Sequence, residues 1–240
     1  TERLQKQNFK EAFQEVWAEP AARTFTVFVF MSMLAYSAQD LILEPFAGAV
    51  HGFTPGQTTQ LSGWHHMGVL IGMLAVAGAG SRWVAGRLGS VQAWMVGGCL
   101  VSALATVGLV SSALSAAWPL KANVVFLGVA NGAFSIAAIA TMMRLAGEGG
   151  PGREGTRMGL WGAAQAAAFG LGGLLGTAAS DLAHALLGEQ RTAYAAVFGM
   201  QALMFAVSAA VATRLRTGPA AQRASLRFDG PVLLKGGSSS

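Results

Sequence analysis

Asp40 and Glu44 are two acids in a stretch that is otherwise almost wholly apolar, and Pro45 follows them directly. Four residues apart, they share one helix face. Pro45 has no N–H for the carbonyl of Leu41, so the helix is expected to kink or break there. No Lys or Arg occurs between Thr24 and Ser81 to neutralise the acids. Acids near membrane depth are costly and mark function or a specific partner. They must be protonated, wet, hydrogen-bonded or paired outside this sequence; otherwise the span ends near Ala38 and both lie in the interface. Gln39 adds an amide beside them. His65 and His66 follow the turn signal Thr54-Pro55-Gly56. A connection of about ten residues, His51–Gln60, puts the histidines near Asp40 and Glu44, on the far side of the membrane. A neutral imidazole there ligates a metal centre, including chlorophyll magnesium, or hydrogen-bonds a carboxylate. His66 is the candidate ligand, against the plainer reading of a structural polar residue. Trp64 fits an interfacial anchor or a flat face for a ring system.

Six apolar stretches must position these residues: Thr24–Val50, Leu61–Gly80, Val91–Ala113, Leu120–Met143, Met158–Ala179 and Ala193–Val211. Each is long enough to cross a hydrocarbon core of about 30 Å. Charged residues are only 11% and hydrophobic residues 53%, where a soluble domain carries about a quarter charged residues. Of 16 Lys and Arg, 14 fall on one side of the spans, leaving Lys121 and Arg191 opposite. Basic loops stay cytoplasmic, so both termini are expected inside. The expected fold is an all-α integral membrane bundle of six transmembrane helices over 20–214. An amphipathic surface helix or linker end precedes it over 1–19, and a basic, loosely ordered tail follows over 215–240. The net charge of +5 is then a membrane rim facing anionic lipid. It is not a nucleic-acid patch, because no aromatics interleave it. The single cysteine, Cys99, excludes an internal disulfide.

Gly68 with Gly72, and Gly172 with Gly176, are small-xxx-small pairs that let helix backbones approach in lipid. Asn131, Ser135, Gln165 and Gln201 are the remaining polar groups within spans and read as helix bridges. No nucleophile elbow, Walker loop or Cys/His metal pattern is present, which argues against an enzyme.

Ala35-Tyr36-Ser37-Ala38-Gln39-Asp40-Leu41-Ile42-Leu43-Glu44-Pro45-Phe46, followed by Gly52-Phe53-Thr54-Pro55-Gly56-Gln57-Thr58-Thr59-Gln60-Leu61-Ser62-Gly63, resembles the signature of the PucC/LhaA proteins. That family is the bacteriochlorophyll-delivery branch of the major facilitator superfamily. The run on through His66, Gly68, Val69, Leu70, Gly72 and Met73 is closer to the LhaA type. Members have about twelve spans, and the signature falls at the seventh, so the resemblance implies a C-terminal half whose N-terminal half is missing. Ser81 stands where the superfamily's cytoplasmic motif has an Asp. The resemblance implies an assembly factor for light-harvesting complex 1 in the bacterial inner, intracytoplasmic (chromatophore) membrane. Its implied cofactor is bacteriochlorophyll a, with room for a carotenoid. Its implied partners are the light-harvesting 1 alpha and beta polypeptides, the reaction centre and bacteriochlorophyll synthase. The alternative is a proton-coupled solute transporter with Asp40 or Glu44 as proton site. Against that alternative, the acids lie toward one face and the midplane polar inventory is thin.

The basic split makes a direct prediction. Cysteines introduced at Ser81 and Ser180 label from opposite sides of sealed vesicles; labelling of both from one side overturns the topology.

Overall fold

The computed structural model describes residues 14, 17–79, 90–115, 117–148 and 154–215. Its helices are α1 Pro20–His51, α2 Pro55–Ala79, α3 Val91–Leu114, α4 Leu120–Gly147, α5 Glu154–Leu187 and α6 Gln190–Thr213. All six are long and apolar enough to cross a membrane, and no strand occurs among the described residues. Most of the 1–19 segment, the 81–89 loop with Arg82 and Arg87, and the tail beyond 215 lie outside the described residues.

Local chemistry sets the ends. Pro20 opens α1 at a position where its missing N–H costs nothing. Gly52, at φ 68°, closes α1 in the left-handed conformation. Thr54 then starts α2: its N–H is capped by Gln57 Oε1 at 2.9 Å, and Pro55 is the first helical residue. The link between α1 and α2 is therefore Gly52, Phe53 and Thr54, far shorter than the His51–Gln60 connection expected. The second span begins at Pro55 rather than Leu61. On the same side, α5 continues past Ala179 to Leu187, so the gap left between the expected spans Met158–Ala179 and Ala193–Val211 shrinks to Gly188 (φ 70°) and Glu189, and Ser180 lies within α5. Nor does Pro45 break α1, which runs on to His51 with Leu43, Phe46 and Ala47 buried around it. One lost backbone bond is outweighed by that packing.

Side-chain ties sort the helix ends onto two sides. Arg157, buried in the first turn of α5, pairs with Glu19 before α1 and donates to the carbonyl of Leu145 near the end of α4 at 2.9 Å. Gln92 of α3 reaches the carbonyls of Ala212 and Thr213 in α6. Opposite, Arg191 at the start of α6 reaches Ala113 and Val50, at the ends of α3 and α1. His51 Nε2 lies 3.0 Å from Ser112 Oγ on that same side. The six helices thus alternate in direction.

Packing repeats within the bundle. The pairs α2 with α4 and α1 with α5 make extensive contacts, as do α3 with α4, α1 with α6 and α3 with α6. Exchanging α1, α2, α3 for α4, α5, α6 maps this pattern onto itself. Burial follows the same exchange: α1 and α4 are the most enclosed, α2 and α5 the least. The α2–α4 contact is glycine on glycine. A Cβ on Gly68 would stand 2.4 Å from the Val125 carbonyl oxygen, and one on Gly72 2.1 Å from that of Val129. From the other side, Gly128 would meet the His65 carbonyl at 2.2 Å and Gly132 that of Val69 at 2.0 Å. The expected Gly68/Gly72 pair thus has a matching pair in α4. Gly172 and Gly176 of α5 lie against Leu34, Ser37 and Ala38 of α1. Ser37 Oγ seals that contact by donating to the Phe169 carbonyl at 2.8 Å.

The core is split. One apolar cluster holds Phe25, Phe28, Phe134, Trp161 and Phe205, toward the Glu19 side. The other holds Leu43, Phe46, Leu109, Leu127 and Phe198, toward the Arg191 side. Between them runs a layer of buried polar side chains that includes Gln39, His65, Ser102, Asn131 and Gln201.

Gly132→Ala is expected to destabilise the protein in detergent by about 1–3 kcal/mol, the cost of overpacking a closed contact. Gly162→Ala, with nothing within 4 Å of the added carbon, should stay within about 0.5 kcal/mol. Unfolding in denaturing detergent measures both.

Candidate functional site

The layer between the two cores is built by five helices, α1, α2, α3, α4 and α6. At about 1.5 Å per residue, Asp40 lies roughly 16 Å from the His51 end of α1. His65 lies roughly 15 Å into α2 and Asn131 roughly 16 Å into α4. Half of a hydrocarbon core is about 15 Å, so for a core that begins at these helix ends the group is at mid-depth. That is further along the helices than the far-side placement expected from the sequence. The three-residue turn starts α2 early and carries both histidines inward.

Asn131 is the hub. Its Oδ1 accepts from Ser102 Oγ of α3 at 2.7 Å. Its Nδ2 donates to Gln39 Oε1 of α1 at 3.4 Å and faces His65 Nε2 of α2 at 3.3 Å. An amide nitrogen only donates, so His65 Nε2 accepts and its proton sits on Nδ1. That Nδ1 points to Asp40 Oδ1 at 3.5 Å, longer than a well-formed hydrogen bond. His66 donates from Nδ1 to the Ser62 carbonyl at 2.9 Å, which leaves Nε2 as a lone pair. That nitrogen is 3.9 Å from the same Asp40 oxygen. Tyr36 lies over His65, with ring centroids 6.1 Å apart.

The expected residues divide cleanly. Gln39, Asp40, His65 and His66 come together. Glu44, one turn further along α1, is half-buried, and the structure joins Asp40 rather than Glu44 to the histidines. Trp64 does not face them. Two residues along a helix is a turn of about 200°, so it heads a separate exposed stripe with Met67, Ile71 and Leu74. Asn131 and Ser102 are the members whose role in the site sequence reasoning missed. Asn131 is fully buried, and its place amid an apolar span was the available signal. Gln201, in the same layer, has no partner for either amide atom. It faces an apolar cleft of about 400 Å³ between α1, α5 and α6.

Chemically, the layer offers a carboxylate coupled to two imidazoles and a chain of amides. It can hold a proton or a cation at mid-depth. Its midplane inventory is richer than the sequence suggested.

Comparison with known proteins adds what geometry does not. The family described as "PUCC protein" matches residues 1–219. The chain belongs to the PUCC family. A Rhodobacter capsulatus protein named "Bacteriochlorophyll synthase 44.5 kDa chain" is 50% identical over 94% of this chain and 50% of its own length. "Protein PucC" of the same organism is 30% identical over 86% of this chain and 44% of its own. A Rhodobacter capsulatus protein named for the puhA-bchM intergenic region is 36% identical over 75% and 36%. The chain spans about half the length of these PUCC-family relatives or less. No solved structure matches it.

Asn131→Ala strands His65 Nε2, Gln39 and Ser102 without a hub, and is expected to cost about 1–3 kcal/mol. Asn131→Asp changes the donor pattern at the same volume and should cost a similar amount. Thermal unfolding in mild detergent reads both.

Proposed function

We propose that this chain is the six-helix half of an assembly factor for bacterial light-harvesting complex 1, supporting antenna-polypeptide insertion and bacteriochlorophyll delivery. The observation that carries the reading is the 50% identity, along nearly the whole chain, to a relative whose printed name contains bacteriochlorophyll. Membership in the PUCC family agrees with a role in photosynthetic complex assembly. The exchange pattern of the helices supports a half-transporter architecture of the major facilitator type, in which two inverted three-helix repeats face each other. On this reading the absent N-terminal half covers the open sides of α2 and α5.

The pigment is bacteriochlorophyll a, with carotenoid as a second apolar ligand. Residues present here fit such molecules at two places. His66 Nε2, left without a proton by the Ser62 contact, would hold the magnesium of such a pigment. The apolar cleft beside Gln201 suits a hydrocarbon tail with one hydrogen-bonding group. Bound pigment supplies the light-absorbing macrocycle, and the chain's residues hold it out of water. The antenna alpha and beta polypeptides, the reaction centre and bacteriochlorophyll synthase are the proposed partners. The proposed site of action is the intracytoplasmic membrane, with both termini cytoplasmic.

A second reading is a proton-coupled transporter, favoured by the Asp40–His65 pair at mid-depth. A catalytic role rests only on the synthase name that one relative carries.

The test is accumulation of light-harvesting complex 1, read by near-infrared absorbance of membranes, alongside the factor's own level. Asp40→Asn and Glu44→Gln are expected to lower the antenna with the factor still present. His66→Gln keeps hydrogen bonding but ligates magnesium poorly. It should fail like His66→Ala if the imidazole holds pigment. Wild-type antenna in all four variants, at normal factor abundance, overturns the assembly reading of this site.

A further inference from the structure

We infer that Asp40, His65 and His66 form a binding site for one divalent transition-metal ion of the zinc class, with a coordination position left open. This goes beyond the assembly reading and does not depend on it. One ligand atom from each residue lies within 4.8 Å of the other two. Asp40 Oδ1 is 3.5 Å from His65 Nδ1 and 3.9 Å from His66 Nε2. Ligand atoms about 2.0–2.1 Å from a tetrahedral zinc stand about 3.3 Å apart. Asp40 is within a few tenths of an ångström of that spacing from each histidine, and the two imidazole nitrogens, within 4.8 Å of each other, close by up to about 1.5 Å through side-chain rotation.

Three independent features point the same way. His65 is fully buried, yet its Nδ1 has no hydrogen-bond partner and is aimed at Asp40. A buried ring nitrogen without a partner is a cost unless something fills the gap. His66 already has the outer contact typical of a metal-bound imidazole, its Nδ1–H donated to a backbone carbonyl with Nε2 free. Charge completes the case. The described parts of α1 and α2 hold one basic residue, Arg23, far from the layer at the start of α1. On α4, Lys121 is exposed in the first turn, about 15 Å along the helix from Asn131, and Arg144 is near the other end, paired with Glu148. A mid-depth carboxylate thus has no fixed cation near it, and an ion supplies one.

Two imidazoles and one carboxylate select zinc, cobalt or nickel over magnesium or calcium, which prefer all-oxygen sites. His65 would ligate through Nδ1 and carry its proton on Nε2. The Asn131 amide, turned by 180°, then accepts a hydrogen bond from that N–H with Oδ1, the Gln39 amide turns with it so that its otherwise unpartnered Nε2 donates to the same oxygen, and the Ser102 hydroxyl changes from donor to acceptor. His66, with 57% of its side chain exposed, lies on the open side of α2.

The test uses protein containing the whole chain, purified without a histidine tag, stripped with chelator and titrated with Zn²⁺ by calorimetry. Co²⁺ titration reports coordination through its visible absorption. One ion per chain is expected. Asp40→Asn and His66→Ala should each weaken binding at least about tenfold, since even an outer-sphere loss costs that much. His184→Ala should leave it unchanged. No saturable binding, or binding undiminished in Asp40→Asn and His66→Ala, overturns the site. The outcome is separable from the assembly reading. Pigment ligation would need His66 alone, whereas the ion needs all three residues. Normal antenna accumulation with zinc binding intact rejects only the former.

Discussion

Everything at the polar layer depends on the backbone contact between α2 and α4. Gly68 and Gly72 lie directly against Gly128 and Gly132, with carbonyl oxygens where side chains would otherwise begin. In lipid, where apolar surface gains little by leaving its surroundings, such close approach supplies dispersion that branched side chains would forbid. It also sets distances. His65 is one turn before Gly68, and Asn131 one turn after Gly128. The separation that admits no Cβ is the one that leaves His65 Nε2 3.3 Å from Asn131. Any added carbon there pushes the hub away from the imidazole before it touches a ligand.

The layer also explains why the core has two halves. Amides, hydroxyls and imidazoles at mid-depth must satisfy one another, because lipid offers them nothing. Asn131 does so for Ser102, Gln39 and His65 across four helices rather than within one, which fixes how those helices are rotated relative to each other. Ser102 and Asn131 form the satisfied side, with Gln39 held through its Oε1 alone; Asp40, His65 and His66 form the reactive side. The two apolar clusters above and below exclude water and hold the layer in place.

Much of this was legible in the chain. Six spans, the alternation of basic ends and the small-residue pairs Gly68/Gly72 and Gly172/Gly176 follow from composition and spacing. So does the meeting of Asp40 with the two histidines. Their depth does not, because it turns on the capping of Thr54 by Gln57, which moves the start of α2 by about two turns. Pro45 was read as a kink or a break, and the break does not occur because neighbouring packing overrides the local rule. Trp64 was grouped with His66 by adjacency, although helical rotation sets them on different faces. Asn131 was read as a helix bridge, which it is. That it bridges toward the candidate site depends on the partner helix, which no spacing along α4 reveals.

The central claim is that His65 and Asn131 are energetically one unit at mid-depth. A double-mutant cycle on unfolding in detergent measures it most directly, using His65→Ala, Asn131→Ala and the pair. The structure predicts a coupling of about 0.5–3 kcal/mol. Additivity within about 0.3–0.5 kcal/mol would mean that the two side chains do not share the layer.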